Sequence, residues 1–302
     1  MASARPAAVP RPSSRPRETQ DPLNLYLYHP LAARLARLLL PTGIPANAVS
    51  VFSLVALIGA AFAYTELSWP AGVLTGFGLM LLWHVIDGAD GDLARMKGTA
   101  STTGELVDGV CDYLGNVIMY FAFAFLLDDT LGGWAWVLAW SAGGSHIVQT
   151  NHAESQRRAY LWRAHGVPWL RNDAADGEPL FRKSSWFTRY FGFWAVGYLW
   201  LAQRMSPGAN AIDAALADTA GDPARTLRIR RLVRRASRGS LHLEKALGGN
   251  PKTIIIGLSM AAGSPAWYFL TVIFVLNLIL IWSVVHHNRM NRRLAAILSP
   301  SP

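Results

Sequence analysis

The chain has 302 residues, is 52% hydrophobic and carries a formal charge of +9. That length would hold two soluble domains. Long stretches almost free of charge argue instead for a bilayer-embedded core, where backbone exposed to lipid must close its own hydrogen bonds as helix. The single cysteine, Cys111, excludes an internal disulfide.

In chain order, residues 1–20 are rich in Pro, Arg and Ser and lack the apolar segment of a signal peptide. They read as a disordered cytoplasmic tail. Residues 22–40 are apolar, broken by Pro30, and contain Arg34 and Arg37. That suits an amphipathic helix in the membrane interface, its arginines toward lipid phosphates. "PTGIPAN" then interrupts the chain at Pro41, Gly43 and Pro45. Spans follow at about 47–65, 70–88, 104–127 and 131–150, the block 21–150 closing there. Residues 151–250 are polar and basic, with Arg157, Arg158, Arg163, Arg171 and Arg182, and the run "RTLRIRRLVRRASR" at 225–238. One aromatic island, 184–205, interrupts them. Two apolar segments, about 252–264 and 266–285, lead to the basic end of a last block, 251–302.

Basic segments favour the cytoplasmic side. A basic tail inside and four spans return the chain inside at 150, where the arginines begin. Laying 184–205 in the interface keeps both basic regions inside. The predicted fold is therefore an all-α integral membrane protein with six transmembrane helices, an N-terminal interfacial amphipathic helix and a cytoplasmic insert. Seven spans, with 184–205 crossing, is the alternative.

The chemistry lies in "DGADGDLARMKGTASTTGELVDGVCDYLG", Asp87 to Gly115. Asp87, Asp90, Gly91, Ala94 and Arg95 share one helical face, and Gly104, Asp108 and Asp112 share another. A loop joins the two helices, so they are expected as antiparallel neighbours. Four carboxylates then meet across the pair at the membrane boundary. Their mutual repulsion calls for cations, and hard oxygen donors suit two Mg²⁺ or Mn²⁺ ions clamping a diphosphate. Gly91, Ala94 and Gly104 leave room for a flat ligand against the backbones, and Arg95 can fork onto a phosphate. No Walker loop, GxGxxG or HExxH pattern competes.

This stretch resembles the signature of the CDP-alcohol phosphotransferase (CDP-alcohol phosphatidyltransferase) family, D-x2-D-G-x2-A-R-x8-G-x3-D-x3-D. Asp87, Asp90, Gly91, Ala94, Arg95, Gly104, Asp108 and Asp112 match every specified position. "PTGIPANAVS" is similar to the family's "PTGITPNxVT", keeping Asn47 and placing Ser50 for Thr, and departing at Pro45 and Ala46. The similarity covers about 22–150 and extends to 251–290. It implies a membrane enzyme that moves a substituted phosphate group from a CDP-alcohol to an acceptor alcohol and releases CMP. By the same resemblance Asp87, Asp90 and Asp108 are metal ligands, and Asp112 is ligand and general base. Asp90, Gly91, Ala94, Arg95, Gly104 and Asn47 are nucleotide or diphosphate contacts.

A divalent-cation transporter would also place acids in a membrane. It would not account for Gly91, Ala94, Arg95 and Gly104 at fixed offsets. Glu105 falls one residue off the aspartate face and reads as solvated. Lys97 reads either as a surface charge or as a phosphate contact, and Cys111 as packing. At the end of the fourth span "SHIVQTNHAESQRRAY" keeps Ala153 and Glu154 of the inositol-type pattern "SYxKARAE" but has Thr150 where its lysine would stand, followed by Asn151. His146, Gln149, His152 and Arg157 are the acceptor candidates. The run at 225–238 reads as a lipid-facing basic surface. Expected partners are the CDP-alcohol donor and the acceptor, one of them a lipid, with the membrane and a second copy of the chain, and no nucleic acid. The active site is expected to face the cytoplasm.

Overall fold

In a computed structural model the described residues are 16–167, 186–206, 209–219 and 222–298; they are mostly helical and contain no strand. Residues 1–15 of the expected tail lie outside them, as do Arg171, Arg182 and the first residues of the 184–205 island. Within the tail, Arg17–Thr19 form a 3-10 turn. A π-helical turn, Asn24–Tyr28, leads without a gap into α1, His29–Leu39. Pro30 therefore does not break the segment. It sits in the first turn of α1, and the wide turn ahead releases the bond that proline cannot make.

Helix α2 is Ala46–Glu66, α3 Ala71–Lys97, α4 Thr102–Leu131 and α5 Gly133–Tyr160. The small residues Ser53, Ala56, Ala60 and Ala63 recur every three or four positions along α2 and are buried. That stripe lets α3 and α4 both approach α2 closely. Gly76 of α3 lies under the Tyr64 ring of α2, where an added Cβ would come within 2.7 Å of the ring carbons. The turn between α3 and α4 is built from Gly98 and Ser101. Gly98 adopts φ 66°, and the N–H groups of Gly98 and Thr99 return to the carbonyls of Arg95 and Ala94 at 3.2 and 2.9 Å. Ser101 Oγ then accepts from the Gly104 N–H at 3.1 Å and starts α4.

After α5 and a π turn at Leu161–His165 come α6, Trp186–Met205, α7, Ala209–Ala217, α8, Pro223–Ser237, and α9, Leu241–Leu247. The chain closes with α10, Gly249–Ala261, and α11, Ala266–Leu298, which contains a π turn at Thr271–Leu276. Backbone packing joins α3 to α2, α2 to α4, α4 to α5, α5 to α11, α11 to α10 and α10 back to α3. The result is a ring of six helices around one core that includes Leu57, Met80, Phe123 and Phe269. The two helices expected as antiparallel neighbours bring their carboxylates together, but each packs its backbone mainly on α2, and side chains bridge the space between them.

Among the described residues four helices are long and apolar enough to cross a membrane: Ala46–Glu66, Ala71–Lys97, Thr103–Leu131 and Ala266–Leu298. The other two of the ring differ for visible reasons. Helix α10 has only 13 residues, and α5 carries the polar run from His146 to Arg158. At about 1.5 Å per residue, α5 and α11 exceed the roughly 30 Å of a hydrocarbon core. Their ends support a cap. Tyr160 at the end of α5, Ala164 in the turn after it, Ile212 of α7, Ile229 and Val233 of α8, Leu241 of α9 and Leu294 of α11 form a second apolar cluster. Arg163 pairs with Asp213 at 2.7 and 3.0 Å. The polar segment from 151 thus begins as a continuation of α5, and its helices α7, α8 and α9 fold back on the ends of α5 and α11.

Candidate active site

Asp87, Asp90 and Asp108 each place a carboxylate oxygen within 4.8 Å of the others. The first two stand one turn apart on α3, and α4 supplies the third. Asp112, one turn beyond Asp108, accepts a hydrogen bond from Trp83 Nε1 at 3.3 Å. The helical spacing read from the sequence thus becomes a three-carboxylate cluster beside a fourth acid held by an indole.

The cluster fits a divalent cation. Oδ1 of Asp87 and Oδ1 of Asp108 are buried without a hydrogen-bond partner, so each has a lone pair free to ligate. The donors are all hard oxygens, which suits Mg²⁺ or Mn²⁺. Asp90 is restrained instead by Ser50, whose Oγ donates to Asp90 Oδ2 at 2.5 Å.

The remaining motif residues surround this cluster. The Arg95 guanidinium lies over Gly91, its Nη1 3.3 Å from where a Cβ on Gly91 would be. Arg95 Nη2 donates to Asp92 Oδ1 at 2.5 Å, while its Nε is buried and without a partner. Asn47 Oδ1 is 3.7 Å from the position a Cβ would take on Gly104. The start of α2 therefore stands beside the start of α4. Ala94, on the same α3 face, is half-buried. Lys97 is not a free surface charge: its Nζ donates to the Ile44 carbonyl at 2.6 Å and ties the end of α3 to the entry of α2. Glu105 is exposed but pairs with Arg158 at 3.0 Å, and Cys111 is buried.

The α5 candidates are committed elsewhere. His146 Nδ1 meets the Tyr120 hydroxyl at 3.0 Å. Gln149 donates to the Val272 carbonyl and to Asn277, both at 2.9 Å. His152 Nε2 meets Ser283 Oγ at 2.9 Å, and Arg157 forks onto Glu154 at 2.6 and 2.7 Å. These bonds run to α4, to α11 or along α5, and none of them reaches the aspartates.

Ser50, Trp83 and Asp92 are contacts that sequence reasoning missed. Trp83 stands one turn before Asp87 and Ser50 one turn after Asn47, so both lie on faces already identified. Asp92 lies off the aspartate face and becomes visible only through its three-residue spacing to Arg95. Around Trp83 a further set assembles. The His84 ring centroid is 4.3 Å from that of Trp83 and 4.7 Å from that of Tyr28, and His84 Nε2 shares a hydrogen bond of 2.8 Å with Thr253 of α10.

Compared with known families, residues 44–159 match the CDP-alcohol phosphatidyltransferase family. The match begins at the loop before α2 and ends one residue short of the end of α5; α1, the cap, α10 and α11 lie outside it. No curated protein matches the chain. The aspartates brought together by α3 and α4 lie within the residues that match the CDP-alcohol phosphatidyltransferase family, a family that transfers a substituted phosphate group from a CDP-alcohol.

Proposed function

We propose that the protein is a Mg²⁺- or Mn²⁺-dependent transferase that joins the phosphate-bearing group of a CDP-alcohol to an acceptor alcohol and releases CMP. The observation that carries this reading is the convergence of Asp87, Asp90 and Asp108 next to Asp112 within the matched segment. Two divalent cations held by the four aspartates would neutralise the diphosphate. Arg95, Gly91, Ala94, Gly104 and Asn47 position the cytidine diphosphate. Asp112 removes the acceptor hydroxyl proton as that oxygen attacks the β-phosphorus. One P–O bond forms to the acceptor, the bond to the α-phosphate bridging oxygen breaks, and CMP leaves with that electron pair.

The six helices of the ring are read as six spans, with the aspartate end facing the cytoplasm, where CDP-activated donors are made. A lipid product fits best. The end of the ring that bears the aspartates also bears α1, with exposed Leu31 and Leu38, and the arginine-rich α8. His146, Gln149, His152 and Arg157 remain acceptor candidates only if a substrate displaces the partners they hold.

The deciding experiment offers the purified protein several CDP-alcohols, with and without lipid and soluble acceptors, and follows CMP. Asp112→Asn should lower turnover by about 10²–10⁴-fold, the range of a lost general base, with the fold intact. Near-normal turnover would remove Asp112 from that role. CMP from soluble pairs alone would end the lipid reading. No CMP from any pair, with divalent-ion flux into liposomes, would replace the transferase reading by transport.

A further inference from the structure

Helix α8 stands apart from the chemistry above. Residues 223–240 contain seven arginines and no acid. Its inner face is spent on packing: Ile229, Val233 and Ser237 are buried, the first two within the apolar cluster of the cap. Arg234 is partly spent as well, donating to the Ala164 carbonyl at 2.9 and 3.2 Å and closing the π turn after α5.

The outer face is different. Arg228, Arg231 and Arg235 recur at i, i+3 and i+7 and are all exposed, with Leu227, 52% exposed, beside them. Among the described residues no carboxylate pairs with any of the three. A helix that places aligned guanidinium groups around an exposed leucine presents charge for phosphates and an apolar side chain for what lies beneath them. The cap that holds α8 rests on the ends of α5 and α11, at the end of the ring where Arg158 of α5 meets Glu105 of α4, close to the aspartate motif. A chain embedded in a bilayer meets that surface at high effective concentration, unlike a dilute soluble polyanion.

We propose that the outer face of α8 is a docking surface for anionic phospholipid headgroups, distinct from the aspartate site and lying outside the family-matched segment. The surface holds the cap against the leaflet through Arg228, Arg231 and Arg235, with Leu227 at the acyl boundary. It does not depend on which alcohols the enzyme joins.

The test places a dye at Ala224→Cys, an exposed site one turn before Arg228. Cys111 is buried, so labelling falls on the new thiol. The full chain is put in nanodiscs of phosphatidylcholine, with or without phosphatidylglycerol, containing a trace of lipid with a spin-labelled headgroup. Quenching should rise as phosphatidylglycerol is added. The affinity for anionic lipid read from that rise should fall about fivefold for each of Arg228→Gln, Arg231→Gln and Arg235→Gln. High salt should reverse it, since exposed charges are screened. Equal quenching in both lipid mixtures, or unchanged quenching in the triple variant, would overturn the proposal. So would an arginine-dependent dye response to inorganic phosphate in detergent, which would mark a free-phosphate site. A response to RNA with none to anionic lipid would make the face a nucleic-acid surface instead.

Discussion

Ser50 reaches the aspartate cluster from outside the acidic motif, and so does Trp83. The Ser50 hydroxyl meets Asp90 at 2.5 Å and is buried, in a setting that strengthens the bond. A hydrogen bond to a charged group contributes about 1.5–3 kcal/mol, and it fixes which way Asp90 presents its other oxygen. Ser50→Ala should therefore weaken Mn²⁺ binding about tenfold, as expected for loss of an outer-shell partner of a metal ligand. Calorimetric titration of the purified protein would measure it, and Ser50→Thr should restore most of the loss. Wild-type affinity in the alanine variant would show that Asp90 is oriented by something else. Trp83 holds Asp112 in the same manner, and the His84–Thr253 bond carries that restraint into α10. Of the site itself, Asp87, Asp90, Asp108 and Asp112 were legible because carboxylates one turn apart share a face whatever surrounds them. Ser50 and Trp83 were not, because a serine and a tryptophan in an apolar helix have ordinary packing roles unless the partner across the gap is known.

At the scale of elements, the N-terminal segment behaves as a clamp on the end of the ring. Asp21 accepts from Asn250 of α10 at 2.7 Å, and Tyr28 stacks on His84. Glu18 accepts from the Tyr160 hydroxyl at 3.1 Å and meets His165 Nε2 at 3.0 Å. Partial burial works against the Glu18 charge, but hydrogen bonds from its own backbone N–H, Tyr160 and His165 outweigh it. Its carboxyl is held below the ordinary value of 4.5. A depressed folded-state value means that the stabilisation is present above 4.5 and is lost as pH falls through the lower folded value. Hydrogen exchange at residues 17–20 should therefore be constant from neutral pH down to about 5, after correction for the intrinsic rate, and rise below that. Glu18→Gln should exchange faster at neutral pH and lose the acid-dependent step; an unchanged profile would detach the clamp from this carboxylate. The helix α1 that follows was legible as a helix. Its continuity through Pro30 was not, since a proline inside an apolar run ordinarily ends it.

For the whole molecule, the ring fixes which ends lie together. With six helices crossing, the α3–α4 turn and the α8–α9 turn face one side, while the α2–α3 and α4–α5 turns face the other. Ala100→Cys and Gly239→Cys should both react with an impermeant maleimide from the cytoplasmic side only. Buried Cys111 contributes no background. Reaction of Ala100→Cys and Gly239→Cys from opposite sides would bring back the seven-span arrangement, with α6 crossing. By itself, the sequence determined the helical class, the long apolar segments α2, α3 and α4, and the acidic motif with its eight matched positions. All three rest on local causes: an apolar run must satisfy its backbone internally, and residues one turn apart share a face. Only the tertiary structure decided that α3 and α4 each pack their backbones mainly on α2, that Asn47 stands beside Gly104, and that α10 closes the ring against His84 of α3. It also decided that α7, α8 and α9 fold back as a cap on α5 and α11. Those outcomes turn on which buried faces meet across long separations in the chain, and a single helix's periodicity carries no information about the helix it will find.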